Sequence, residues 1–202
     1  QNDYTLSLFI FHTEELEKKL IPRLTRGGLV DGLVIQATGI DDDILSKIDA
    51  GDVPFVVAGR PLSLPEASYI DVDNVTGAYN AVAHLMRTGR KQIGTITGGQ
   101  ETSAGLDRLE GYKLALRERN GNVDENLIVQ GDFTEDGGYY ATKQLLKNED
   151  LDAIFVASDT MAIGALKALR DQSLSIPDDV AVVGYDDLPP ARSAVPPLTT
   201  VR

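Results

Sequence analysis

The chain has no cysteine among its 202 residues. That excludes disulfides and thiolate metal sites, and it fits a reducing compartment, although cysteine-free periplasmic proteins share the trait. Basic residues are outnumbered, 19 Lys and Arg against 31 Asp and Glu, for a formal net charge of -12. They are spread out rather than gathered, so this stretch offers no patch for a phosphate backbone. No apolar run approaches the roughly 18 residues of a membrane span. The opening Gln1-Asn2-Asp3-Tyr4 has neither the basic nor the apolar region of a signal peptide. Histidine is scarce too: His12 ends the first apolar run, His84 sits mid-helix beside Ala83 and Leu85, and neither pairs with a nucleophile.

What is present is ordinary for a globular protein, 42% hydrophobic and 25% charged residues, which excludes disorder. Short runs rich in Val, Ile and Phe alternate with longer amphipathic stretches. The patterns predict strands over 4–11, 32–36, 54–58, 69–72, 92–97, 127–130, 153–157 and 180–184. Helices are predicted over 14–26, 41–50, 74–88, 107–119, 135–147 and 160–172. Such exchange of strand and helix is a doubly wound α/β pattern with parallel sheets. Asp41 and Asp159 stand as N-caps, and Gly27, Gly28, Gly89 and Gly121 follow helices. The stretch 186–197 carries four prolines and reads as a crossing loop rather than a helix, before a short strand at 198–201.

In open α/β sheets ligands gather at the carboxyl ends of strands. The residues there are 36–38, Gly59, Arg60, Asp73, Asn74, Gly98, Gly99, Asp132, Phe133, Ser158, Asp159, Asp186 and Asp187. The set suits a small polyhydroxylated or heterocyclic ligand, with carboxylates and amides for hydroxyls and one ring for an apolar face. Each has a plainer reading: Asp159 as a helix cap, Phe133 as cover for the core edge, Asp186 and Asp187 as turn formers. Arg108, at the start of a predicted helix, is by periodicity an exposed arginine. Gly98-Gly99 lacks the Lys-Ser/Thr ending of a phosphate loop and the third glycine of a dinucleotide fingerprint. Without a nucleophile elbow, metal-ligand cluster or cofactor loop, the reading is of a protein that is not an enzyme and needs no cofactor or metal.

Two stretches carry a resemblance: Val182-Val183-Gly184-Tyr185-Asp186-Asp187, and Pro196-Pro197-Leu198-Thr199-Thr200-Val201-Arg202. With Val30-Asp31-Gly32-Leu33-Val34, Arg108-Leu109-Glu110-Gly111-Tyr112, Gly131-Asp132-Phe133 and Ala157-Ser158-Asp159 in order, the whole chain resembles the LacI/GalR family of transcription regulators. The resemblance implies a core of periplasmic-binding-protein type, two doubly wound parallel-sheet subdomains, here incomplete at both ends. Residues 1–72 would form the N-terminal subdomain without its first strand and helix, 73–186 the C-terminal subdomain, and 187–202 a segment crossing back to the first.

It further implies a cytoplasmic homodimer that binds a small effector, a sugar or related metabolite. Operator DNA would be met through a headpiece not contained in this stretch, and the regulator would be of repressor type. By the same likeness Arg108 matches the arginine that forks onto effector oxygens, Asp186 the carboxylate that accepts from effector hydroxyls, and Phe133 the stacking aromatic. Asp73, Gln36 and Ser158 match further cleft positions. Ser158 departs from the asparagine of sugar-responsive members, and Gly59 from an aspartate found in some. A periplasmic sugar-binding protein serving a transporter shares the fold and stands as the alternative.

Overall fold

The computed structural model describes residues 5–10, 13–26, 28–36, 43–120, 122–148 and 150–202. The expectations on His12, Gly27, Thr38, Asp41 and Gly121 lie outside them. The chain divides into two compact units, 1–71 and 72–202.

In the first unit, β1 (Leu33–Gln36), β2 (Phe55–Ala58) and β3 (Tyr69–Ile70) form a parallel sheet in that order. Helices α1 (Glu14–Thr25) and α2 (Asp43–Asp49) supply Ile21, Leu24, Leu45 and Ile48 to a core that also buries Val57 of β2. Thr13 caps α1 by accepting the Leu16 amide at 3.3 Å. The strand expected over 4–11 is not formed in residues 5–10, where Leu6 and Leu8 are exposed. Alternation marks a sequence able to pair, but a strand exists only where a neighbouring backbone takes its hydrogen bonds.

The second unit holds five parallel strands, β4 (Ile93–Thr97), β5 (Ile128–Gln130), β6 (Ala153–Val156), β7 (Ala181–Tyr185) and β8 (Thr199–Val201), in the order β5-β4-β6-β7-β8. Every residue of β4, β6 and β7 is buried, as near-continuous apolar runs require when both faces are covered. Helices α3 (Asn74–Arg87) and α4 (Ser103–Asn120) cover one face around Phe155, Val183 and Tyr112. Helices α5 (Glu135–Leu145) and α6 (Asp159–Asp171) cover the other around Ile96, Ile154 and Met161. Because β4 lies between β5 and β6, the winding reverses there, and the carboxyl ends of β4 and β6 flank the crevice where such sheets bind ligands.

Three expectations change. Helix α4 begins at Ser103 rather than 107, because the Thr102 hydroxyl accepts the Gly105 amide and opens the helix early. The 186–197 stretch contains a short helix, α7 (Pro189–Ser193). Its two prolines occupy the first helical positions, where the missing N–H has no intrahelical role. The tail expected to cross back belongs to the second unit: β8 pairs with the open edge of β7, Val183 opposite Thr199 and Tyr185 opposite Val201. Among the described residues, no helix is long and apolar enough to cross a membrane.

Candidate functional site

The early start of α4 places Arg108 in its second turn rather than at its exposed beginning. Its side chain runs inward and is only 7% exposed. Nε donates to Asn74 Oδ1 at 2.9 Å, Nη1 to the Ala157 carbonyl at 2.6 Å, and Nη2 pairs with Asp186 Oδ1 at 3.1 Å. The guanidinium carbon also lies 3.8 Å from the ring centroid of Tyr185, a cation–π contact in a desolvated setting. One side chain thus ties the start of α3, the end of β6 and the end of β7. A buried guanidinium is tolerated when its fork is filled this way.

Asp186 follows β7 with φ 108°, and Asp187 follows it with φ 50°. Non-glycine residues rarely adopt this region, and such backbone persists only where its surroundings hold it, most often at functional sites. Burial raises the Asp186 carboxyl above its usual range, Arg108 pulls it down, and the nearby Asp159 carboxylate pushes it up again. Asp187 is held below the usual range by its bond to Arg192, at 2.9 Å.

Phe133 shares the strained backbone, with φ 63° in the turn after β5. Its ring lies over Gly98 at the end of β4, where any Cβ would collide with it. It is half-buried and packs on the α5–α6 core, so the cover role read from sequence is filled. The ring nonetheless stands at the carboxyl edge of the strand beside the winding reversal.

The remaining expectations fare differently. Ser158 is buried, and its hydroxyl accepts the Met161 amide at 3.3 Å as the cap of α6. Asp159, read as that cap, is instead the first residue of the helix; its carboxylate accepts from the Leu188 amide and the Thr200 hydroxyl. Asp73 is exposed and caps α3 through the Thr76 amide at 2.9 Å, which holds its carboxyl below the usual range. Gln36 ends β1 in the first unit with its side chain exposed. The structure therefore brings Arg108 and Asp186 into contact and gives Ser158 and Asp73 helix-capping work.

Asn74 and Tyr185 complete the Arg108 cluster, and the sequence reading named neither as a partner of Arg108. Asn74 stood among the strand-end residues beside Asp73, and Tyr185 is the odd-numbered partner of Val183 on the α3 side of the sheet. Gly77 of α3 makes room for that ring, since a Cβ there would strike the Tyr185 hydroxyl. At the opposite, amino-terminal end of β7 and β8, a separate pocket of about 260 Å³ is lined by His84, Arg90, Ile176, Pro177 and Pro196 among others. Among the described residues no cluster of His, Asp or Glu is arranged to hold a metal ion.

Residues 82–202 match the family model of the periplasmic binding protein-like domain. The chain is 44% identical over 179 residues to the HTH-type transcriptional regulator CelR of Thermobifida fusca, covering 87% of this chain and 53% of that protein. It therefore spans about half the length of that curated relative. A solved transcriptional regulator CelR–cellobiose complex aligns with a TM-score of 0.88 at 42% identity, covering 93% of this chain and 58% of that one. A regulatory protein of LacI family from Chloroflexus aggregans aligns with a TM-score of 0.84 at 30% identity, covering 96% and 70%.

Proposed function

We propose, the chain being a member of the LacI/GalR family of transcription regulators and an effector-binding core of it, that it binds a small sugar through Arg108, Asp186 and Phe133. The observation that carries this is the buried Arg108 fork meeting a strained, partly exposed Asp186 at the carboxyl edge of the sheet. A guanidinium beside a carboxylate offers donors and acceptors at the spacing of neighbouring hydroxyls, and an aromatic ring can cover the apolar face of a pyranose. Asp73 and Ser158 are outer members of the same proposed site. The two capping residues act chiefly by fixing the helix starts from which it is built.

Effector binding would shift the balance between conformations of a cytoplasmic homodimer and thereby its grip on operator DNA through a headpiece outside this stretch, as a repressor does. No bond-making step is called for. The periplasmic alternative has the same fold, but the relatives found are transcriptional regulators.

Cellobiose is the first ligand to test, because the similar CelR structure is a cellobiose complex. Calorimetric titration should give saturable binding of cellobiose and weaker binding of glucose. Binding of a purine base such as adenine with none of either sugar would overturn the sugar assignment.

A further inference from the structure

Asp159 is the most deeply buried carboxylate among the described residues, at 0% exposure, and the capping role its position suggests is filled by Ser158. Its two oxygens reach away from α6 instead. Oδ2 accepts the Leu188 amide at 2.7 Å, and Oδ1 accepts the Thr200 hydroxyl of β8 at 2.6 Å. That hydroxyl in turn accepts the Asp187 amide at 3.4 Å, while the Asp186 amide donates to the Val201 carbonyl at 2.8 Å. Three successive amides, 186 to 188, are thus pinned, two of them through Asp159. The space for this carboxylate is kept by Gly184, where a Cβ would collide with Oδ1.

The first two pinned residues, Asp186 and Asp187, are those with φ 108° and 50°. A backbone in that region returns to ordinary angles unless its surroundings over-determine it. For Asp186, such a return would swing the carboxylate away from Arg108. We infer that Asp159 is a positioning residue which holds the 186–188 turn so that the Asp186 carboxylate meets Arg108, and so shapes the effector site without touching the effector. A charged acceptor suits the task, because carboxylate bonds to amide and hydroxyl donors are about twice as strong as neutral ones.

The inference rests on the effector reading of Arg108 and Asp186, but its immediate consequence, their pairing, can be read without any ligand. The test compares wild type, Asp159→Asn and Thr200→Val by the NMR signal of the Arg108 Nη–H groups, since Nη2 is the atom that meets Asp186, assigned with Arg108→Lys, and by cellobiose titration. An asparagine must turn one N–H toward a donor, so the Asn variant should move or broaden the Arg108 signal and weaken cellobiose about tenfold or more. Thr200→Val, which removes the relay to Asp187 and one donor to Asp159 but leaves the Leu188 bond, should do the same to a smaller degree, about threefold. A core control, Leu145→Val, lowers the melting temperature and should leave the Arg108 signal in place.

A folded Asp159→Asn protein with the wild-type Arg108 signal overturns the inference. If that variant does not fold, Thr200→Val decides by the same signal, and an unmoved resonance there overturns it as well. Should wild type bind no cellobiose, the sugar assignment fails while the ligand-free signal still settles the role of Asp159.

Discussion

The two units build the same thing, a parallel sheet with helices, and finish it to different degrees. In 72–202 the central strands are buried throughout and helices lie on both faces. In 1–71, β1 alternates half-buried with exposed residues, β3 is exposed, and Val34 and Ile70 remain 77% and 69% accessible. The difference teaches where a buried charge can be kept. Arg108 persists inside the second unit because rigid elements on three sides fill its fork. In the first unit, Gln36 ends a strand with its side chain exposed.

The comparison can be broken most severely at the cores. Phe155→Ala should cost about 3 to 5 kcal/mol and strip hydrogen-exchange protection from β4, β6 and β7, while Leu45→Ala should act on 1–71. In wild type, the amides of β6 should exchange far more slowly than those of β1. Equal protection in the two units would mean that burial has misjudged their stability.

Next in size is Arg108→Ala. Reading the sequence suggests loss of effector binding with the fold intact. The structure adds a stability cost, since truncation removes the donor to Asn74 Oδ1 and to the Ala157 carbonyl and takes the guanidinium from a carboxylate already raised by burial. A loss of about 2 to 4 kcal/mol in chemical denaturation is expected, along with loss of cellobiose binding. Arg108→Lys keeps the charge without the fork and should fall between.

The smallest effect concerns acid. Asp73, Asp132 and Asp187 have carboxyls held below the usual range by bonds to Thr76, Thr134 and Arg192. Their stabilisation is complete above the ordinary aspartate value of about 3.9 and fades as pH falls through the lower folded values. Asp186 has the opposite sign: its raised value means that protonation relieves a penalty as pH falls through it. Melting temperature should therefore hold steady down to about pH 5 and decline below pH 4. Asp187→Asn should show a shallower acid decline than wild type.

Much of this fold was legible because periodicity reports burial directly. The runs at 153–157 and 180–184 could only be central strands, and they are β6 and β7 to within a residue. Local signals failed where two candidates stood together. Ser158 and Asp159 are both good caps, and only the direction of the hydroxyl shows which one serves. Thr102 was not read as a cap, so Arg108 was placed on an exposed first turn. For the site, the strand-end rule reached Asp186 and Phe133. Arg108 came from family likeness alone, since its partners are 34 and 49 residues away in Asn74 and Ala157. No window of sequence brings those together.

The Arg108–Asp186 pair has one more consequence. Each is the other's partner, so a molecule entering between them takes part in an exchange rather than filling open valences. What it gains is the difference between the bonds it offers and the ones it displaces. At the proposed site, a compound with acceptors alone would leave Asp186 without its guanidinium in a partly desolvated place, and one with donors alone would take from Arg108 one of its three partners. Only a ligand presenting both kinds of group side by side would come out ahead at that proposed effector site, and the pair would sort candidates by the arrangement of their hydroxyls before any question of size or shape arises.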